Sequence, residues 1–200
     1  MAVLVGKPAP DFTAAAVMGN NEFNETFNLK EYLDGKYGVV FFYPLDFTFV
    51  CPSEIIAFDH RLGEFTKRNT AVIGISIDSH FSHLVWKNTP VNKGGIGQVR
   101  YPLVADIKHE VCRAYDVEAE EGVAYRGSFL IDRNGIVRHQ VVNDLSLGRN
   151  IDEMLRMIDA LQFTEEHGEV CPAGWSKGEA GMDASTEGVA KYLAEYSQKL

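Results

Sequence analysis

The sequence has few cysteines, and no two of them lie close together. Its 200 residues contain three, Cys51, Cys112 and Cys171, and no C-x-x-C motif. Three cysteines do not make a framework of structural disulfides, so a bond between two of them is expected to be transient and catalytic. The missing C-x-x-C argues against a thioredoxin-type dithiol oxidoreductase, because that chemistry needs both thiols within one turn.

The sequence also lacks a basic run and a long apolar run. It has 19 Lys and Arg residues against 28 Asp and Glu residues, a formal net charge of −9. No basic stripe could bind phosphates, so we expect no nucleic-acid partner. Only residues 2–5 form an apolar stretch before Gly6, which is far shorter than a secretory signal, and no run approaches membrane-spanning length. We expect a cytoplasmic protein with no membrane partner.

Spacing typical of a metal site is missing as well. The six histidines are scattered, and the one close pair, His80 and His83, has no cysteine or carboxylate partner at zinc-like spacing. We therefore expect no metal and no other cofactor. Cys112 falls on the apolar face of a short helix predicted over residues 109–115, and free cysteine is among the most buried residue types. We expect Cys112 to be structural.

Another cysteine lies where a predicted strand gives way to a predicted helix. Residues 39–43 form an unbroken β-branched and aromatic run, typical of a strand buried on both faces, and Pro44 ends it. Farther on, apolar residues recur every three or four positions, which predicts an amphipathic helix over residues 53–67 with Pro52 in its opening turn. Cys51 is therefore expected at or just before the N-terminus of that helix.

A thiol in that position is suited to nucleophilic chemistry. Unpaired backbone N–H groups and the positive end of the helix dipole favour an anion there, and the thiolate is the nucleophilic form of cysteine. Thr48, three residues before Cys51, could place a hydroxyl beside the sulfur, able to accept a proton or to donate a hydrogen bond. From the residues alone, a buried structural cysteine remains the alternative for Cys51.

The rest of the chain predicts alternating strands and helices. A second buried strand over residues 71–78 follows the first helix, so these strands are expected to be parallel, with a crossover between them. Asp78 and Ser79 are candidate N-caps for a helix over residues 80–87. Residues 128–132 and 136–142 flank Arg-Asn-Gly and predict a β-hairpin.

The C-terminal part differs in composition from the rest. A predicted helix with Ile151, Leu155 and Ile158 on its apolar face precedes a stretch rich in Glu, Gly, Ser and Ala that begins at Thr164. We predict an α/β fold with a central mixed sheet flanked by helices over residues 1–163. Residues 164–200 are predicted to form a C-terminal arm.

The sequence resembles the peroxiredoxins. Pro44-x-x-x-Thr48-x-x-Cys51 matches the active-site pattern of that family, and the tripeptide Val-Cys-Pro around Cys51 returns around Cys171. Two such tripeptides are similar to those of the typical two-cysteine subgroup. The resemblance extends over essentially the whole chain, beginning at residues 6–12, and it implies a thioredoxin-like fold.

The resemblance implies roles for the two matching cysteines. Cys51 would be the peroxidatic cysteine, whose thiolate attacks the O–O bond of a peroxide and becomes a sulfenic acid. Cys171 would be the resolving cysteine, which attacks the sulfenic acid of a partner subunit to give an intersubunit disulfide. Pro44 would pack over the sulfur of Cys51 and limit water and over-oxidation. Without the family, Cys171 could be a chance surface cysteine on the arm.

Three charged residues complete the implied site. Arg126 begins a predicted strand and matches the family's active-site arginine, which would stabilise the thiolate and the developing charge on the peroxide. In the family, a carboxylate and a second arginine orient this active-site arginine, and Glu54 and Arg149 resemble those two residues. From the residues alone, the alternatives are two solvated arginines and an ordinary glutamate in the first turn of a helix.

The sequence thus predicts a thiol-dependent peroxidase for hydrogen peroxide and alkyl hydroperoxides, active in antioxidant defence and redox homeostasis. By resemblance, it would form a homodimer that assembles into a decamer, with residues 136–142 at a dimer edge and residues 78–83 near the dimer–dimer contact. The electron donor would be thioredoxin or a flavoprotein disulfide reductase. The alternative is a ring-forming chaperone or a redox-signalling adaptor, which would share these motifs.

Overall fold

Seven strands form one mixed sheet in the computed structural model, which describes residues 2–199. The strands are β1 (Thr13–Val17), β2 (Phe23–Asn28), β3 (Tyr37–Phe42), β4 (Thr70–Ser76), β5 (Leu103–Ala105), β6 (Arg126–Ile131) and β7 (Val137–Asn143). Their order across the sheet is β2-β1-β5-β4-β3-β6-β7. The predicted α/β class with a mixed sheet is confirmed.

The apolar run of the sequence forms the middle of this sheet. All six residues of β3 are buried. This strand is parallel to β4 and antiparallel to β6, and β6 continues into β7 as the predicted hairpin. A strand with neighbours on both edges and side chains packed on both faces needs an unbroken apolar sequence. At one end of the sheet, β7 has a neighbouring strand on one side only.

Seven α-helices connect and follow the strands. They are α1 (Leu29–Leu33), α2 (Cys51–His60), α3 (Leu62–Lys67), α4 (His80–Asn88), α5 (Glu110–Ala114), α6 (Ile151–His167) and α7 (Thr186–Tyr196). The predicted cap of α4 is confirmed, because the backbone N–H of Ser82 donates to the hydroxyl of Ser79. None of the helices within residues 2–199 is long and apolar enough to cross a membrane.

The single helix predicted over residues 53–67 is wrong, because two helices occupy this region. The chain breaks at Arg61, whose φ of −101° and ψ of 4° lie outside the α-helical range. Gly63 follows the break, and glycine is the poorest helix former after proline. Phe58 before the break and Phe65 after it still face each other, with ring centroids 5.8 Å apart. The apolar residues therefore keep their helical spacing across the break at Arg61.

Side chains of β3 alternate between two apolar clusters. Phe42 lies in a cluster with residues of α1 and α5, and its ring centroid is 5.9 Å from that of Phe129. Phe41 points the other way and stacks on Phe58 of α2, with centroids 4.2 Å apart. Successive side chains of a strand point to opposite faces, so both faces of β3 are packed against helical residues. The first cluster includes Cys112, as expected of a structural cysteine.

Backbone contacts divide the chain into two compact units, one ending at Ile151 and the other beginning at Asp152. The second unit has packing of its own. Trp175 is buried there against Phe163, with ring centroids 4.8 Å apart, and its carbonyl accepts a 2.6 Å hydrogen bond from Arg156. The predicted boundary between residues 163 and 164 stays a prediction.

Removing the ring of Phe129 is expected to destabilise the fold. Phe129 is fully buried, whereas Ile107 is 56% exposed. We expect Phe129→Ala to cost about 3–5 kcal/mol through lost contacts and a cavity, and Ile107→Ala to change stability by no more than about 0.5 kcal/mol. Urea unfolding followed by circular dichroism at one protein concentration measures both. Equal midpoints for the two variants would contradict this description of the core.

Candidate active site

Cys51 is the first residue of α2, at the end of a loop that begins where β3 ends. Val50 precedes it at the N-cap position, and no side chain caps this end of the helix. Pro52 is accommodated in the first turn, where the missing N–H of proline costs no helical hydrogen bond. The Cys51 side chain is fully buried, as is most of Pro44 at the start of the loop. The predicted position of the thiol at the helix N-terminus is confirmed.

Two polar side chains contact the sulfur. The Thr48 hydroxyl oxygen lies 2.9 Å from Cys51 Sγ and 2.8 Å from the carbonyl oxygen of Leu45. The hydroxyl has one hydrogen, so it can donate to the carbonyl while accepting from a thiol, or donate to the sulfur once that is a thiolate. Arg126 places Nη1 3.4 Å from the same sulfur. A thiolate of Cys51 would therefore meet two hydrogen-bond donors.

Glu54, one turn into α2, binds both arginines of the site. Its Oε2 accepts a 2.6 Å hydrogen bond from Arg126 Nη1, and Arg149 donates from Nε and Nη2 at 2.9 Å each. The backbone N–H of Arg149 adds a fourth bond at 2.9 Å. The three side chains are almost completely buried. Such charge-assisted, forked contacts fix geometry as well as charge.

Backbone carbonyls accept further hydrogen bonds from both guanidinium groups. Arg126 donates from Nε to Leu145 at 2.8 Å. Arg149 donates from Nη1 to Phe42 at 2.7 Å and to Gly127 at 2.9 Å. The two arginines are thereby tied to β3, to β6 and to the segment after β7.

The buried charges do not cancel. Two guanidinium groups face one carboxylate, which leaves a net positive charge beside Cys51. Burial lowers the pKa of Arg149, and the adjacent Glu54 carboxylate opposes that shift. Arginine has an ordinary pKa above 12, so the group stays charged near neutral pH. A thiolate on Cys51 would balance the excess positive charge.

An open, mostly apolar pocket of about 430 Å³ reaches the two residues that contact the sulfur. Thr48 and Arg126 supply its polar groups, and Phe49 on its rim is almost fully exposed. Its lining residues are Pro44, Thr48, Phe49, Val50, Arg126, Leu145 and Ser146. A small molecule with two adjacent oxygens could enter here and meet both donors.

The sequence analysis missed the contribution of residues 145 and 146. Leu145 orients Arg126 through a backbone carbonyl, and both residues line the pocket. A carbonyl is present at every position of a chain, so no residue type could have marked this one. One connected hydrogen-bond network joins five of the seven predicted site residues: Thr48, Cys51, Glu54, Arg126 and Arg149.

Cys171 lies in the second unit and is half-buried. Its Sγ is 3.5 Å from the carbonyl oxygen of Ala160 and 3.7 Å from Oγ1 of Thr164, both on α6. This helix extends to His167, beyond the predicted start of the arm at Thr164, and so offers the cysteine a surface to pack on. Cys51, Cys112 and Cys171 are all free thiols.

Comparison with known families gives two matches. Residues 5–140 match the AhpC/TSA family, and residues 160–195 match the C-terminal domain of 1-Cys peroxiredoxin. The second segment contains Cys171, so this chain has a cysteine in each matched region.

Individual relatives agree over nearly the whole chain. Alkyl hydroperoxide reductase C of Helicobacter pylori is 61% identical over 99% of this chain and 100% of its own length. Peroxiredoxin-1 of Gallus gallus is 52% identical over 96% of both chains. Among solved structures, the reduced 2-Cys peroxiredoxin of Plasmodium vivax is 51% identical, covers 96% of this chain and 100% of its own, and superimposes with a TM-score of 0.94. The chain therefore belongs to the AhpC/TSA family, as a 2-Cys peroxiredoxin with the thioredoxin-like fold expected from its sequence.

Proposed function

We propose that this peroxiredoxin reduces hydrogen peroxide and alkyl hydroperoxides with Cys51 as the peroxidatic residue. The observation that carries the assignment is the pair of donors on one sulfur, Thr48 at 2.9 Å and Arg126 at 3.4 Å. Peroxidase activity is the activity of the family, and this pair supports Cys51, rather than Cys112 or Cys171, as the residue that performs it. Neither of the other thiols has a guanidinium among its hydrogen-bond partners in residues 2–199.

The proposed reaction is a displacement on the O–O bond. The thiolate of Cys51 forms an S–O bond to the terminal oxygen of the peroxide, which keeps its hydrogen, so that the product is a sulfenic acid. The electron pair of the O–O bond leaves on the second oxygen. That oxygen takes up a proton, equivalent to the one lost by the thiol, and departs as water or as an alcohol. No cofactor takes part in this step.

The two donors act mainly on charge and position. Negative charge moves from the sulfur to the leaving oxygen, and Arg126 can donate to the peroxide from the site where it now contacts the sulfur. Thr48 can donate a hydrogen bond to the thiolate. When peroxide is bound, Thr48 can donate to a peroxide oxygen instead. Donors fixed in advance in a buried site stabilise such charge without having to reorganise. Pro44 lines the pocket, which supports its proposed role in limiting access of water.

We propose that Cys171 of a partner subunit resolves the sulfenic acid. Its thiolate attacks the sulfur of Cys51, a disulfide forms as the S–O bond breaks, and the departing hydroxide takes up a proton equivalent to the one lost by the Cys171 thiol and leaves as water. A reductant must then supply two electrons, and we propose thioredoxin or a flavoprotein disulfide reductase for that role. We propose a cytoplasmic location, where such reductants keep thiols reduced.

Two surfaces support the proposed dimer and decamer. Within residues 2–199, no strand pairs with the outer edge of β7, although Gly6 and Lys7 hydrogen-bond with the backbone of Val137 at its start. The backbone groups of β7 beyond Val137 could pair with a second copy of the chain. Near residues 78–83, Phe81 is largely exposed and its ring lies 4.1 Å from that of His80, which meets Phe23 edge-on at 4.9 Å. Clusters of exposed aromatic rings are typical of protein interfaces.

Cysteine variants test the proposed division of roles. We expect one equivalent of hydrogen peroxide to convert the reduced wild type and Cys112→Ser into disulfide-linked dimers on a non-reducing gel. Cys51→Ser and Cys171→Ser should give no such dimer, because each lacks one partner of the bond. A dimer that persists without Cys171, or one that requires Cys112, would contradict the assignment.

Substitutions of Thr48 test the hydroxyl on the sulfur. Thr48→Val keeps the shape of the side chain and removes the donor, so we expect the second-order rate of Cys51 oxidation to fall by about 100- to 1000-fold. Thr48→Ser keeps the hydroxyl and should stay within about tenfold of the wild type. Stopped-flow kinetics with hydrogen peroxide at pH 7 measures both rates. Equal rates for the Val and Ser variants would exclude a role for the hydroxyl.

A further inference from the structure

Three side chains able to bind a metal ion converge around α5, outside the active site. His109 immediately precedes this helix, Cys112 lies within it, and Glu118 follows it. One ligand atom of each residue lies within 4.8 Å of the ligand atoms of the other two. The proposed peroxidase reaction does not use this cluster.

The backbone holds the three residues at this separation. His109 and Cys112 are separated by two residues, so that His109 lies at the N-cap of α5 and Cys112 lies in its first turn. The backbone N–H of Val117 donates to the carbonyl of Cys112 at 2.9 Å, which turns the chain back after α5. Glu118 is then fixed by an antiparallel bridge to Ala124. The sequence analysis missed the cluster because Glu118 comes into reach only through this turn.

The donor set is one that zinc accepts. An imidazole nitrogen, a thiolate sulfur and a carboxylate oxygen are its three usual protein ligands, and water can complete a tetrahedron. Cys112 is buried, whereas His109 and Glu118 are each about one quarter exposed. A cation could therefore enter from the His109 and Glu118 side and reach a sulfur that is shielded from solvent.

The charges around Cys112 favour a cation. Asp106 accepts the backbone N–H groups of Val111 at 3.0 Å and Cys112 at 2.7 Å, which keeps its carboxylate beside the thiol. Glu118 is the second carboxylate, and it accepts a 2.6 Å hydrogen bond from the guanidinium of Arg113. A divalent cation would offset the repulsion between these carboxylates and a thiolate.

We propose that His109, Cys112 and Glu118 bind Zn²⁺, with water as the fourth ligand. On binding, the Cys112 thiol releases its proton to solvent and a Zn–S bond forms. The 2.6 Å hydrogen bond between His109 Nδ1 and Glu118 Oε1 is replaced by bonds from both groups to the metal. Arg113 donates to Oε2 of Glu118 at 2.6 Å and can keep that contact, which holds the carboxylate in place as a ligand.

Co²⁺ is the probe that tests the site, because a cobalt–thiolate bond gives a charge-transfer band in the near ultraviolet. The reduced full-length double variant Cys51→Ser/Cys171→Ser has Cys112 as its one remaining thiol. We expect it to develop the band with one equivalent of Co²⁺ and to lose it when Zn²⁺ is added. Cys112→Ser in that background should abolish the band.

Single substitutions of the other two ligands show whether the metal binds to all three residues or to the Cys112 thiol alone. In the same background, His109→Gln and Glu118→Gln should each weaken Co²⁺ binding by about tenfold or more, whereas Glu120→Gln, an exposed acid in the same loop, should not. Circular dichroism checks that each variant is folded.

The proposal is overturned if the double variant shows no charge-transfer band, or if the band survives Cys112→Ser. It is also overturned if folded His109→Gln or Glu118→Gln binds Co²⁺ as tightly as the double variant. Peroxidase activity enters none of these measurements, so their outcome is independent of the proposed reaction of Cys51.

Discussion

The active site depends on one buried carboxylate. Glu54 accepts hydrogen bonds from Arg126 and Arg149, and Arg126 in turn contacts the sulfur of Cys51. The three charged residues come from α2, from the start of β6 and from the segment before α6. Their contacts join parts of the chain that are distant in sequence, so the position of the guanidinium on the sulfur is a property of the whole first unit.

The value of this network lies in position rather than in stability. Taking charges out of water is costly, and a buried ion pair often stabilises a protein no more than apolar residues of the same volume. Leaving one member without its partner is different, because an uncompensated buried charge costs about 3–5 kcal/mol. With Glu54 in place, both guanidinium groups have fixed partners and carry one positive charge in excess. That excess is available to a thiolate and to the oxygen that leaves during the reaction.

The sequence predicted those parts of the fold that depend on local pattern. The apolar run of residues 39–43 and Pro44 located the end of a central strand, and the spacing of Phe58 and Phe65 located the helical layer behind Cys51. The interruption at Arg61 was missed, because the apolar spacing continues across it. The sequence did not predict that Cys171 packs on α6. The start of the arm at Thr164 was predicted from a change in composition alone, which did not show that α6 continues to His167.

The site was predictable to different degrees. The strand and the helix on either side of Cys51 were enough to place its thiol at a helix N-terminus. Arg126, Glu54 and Arg149 could be singled out only through the family resemblance, since nothing local distinguishes a buried arginine from a solvated one. His109, Cys112 and Glu118 come together only because the chain turns back after α5, which the sequence did not predict. The spacing of the histidines in the sequence had argued against a metal site.

The most direct test of this account is the rate at which hydrogen peroxide oxidises Cys51 in Glu54→Gln, measured by stopped flow beside Glu64→Gln, whose carboxylate lies in an exposed pair with Lys67. Glutamine fills the same volume but cannot bind two guanidinium groups as a carboxylate does. The account predicts a fall of about 100-fold or more for Glu54→Gln and a rate close to wild type for Glu64→Gln. A wild-type rate in a folded Glu54→Gln variant would show that Arg126 needs no carboxylate to act on the sulfur.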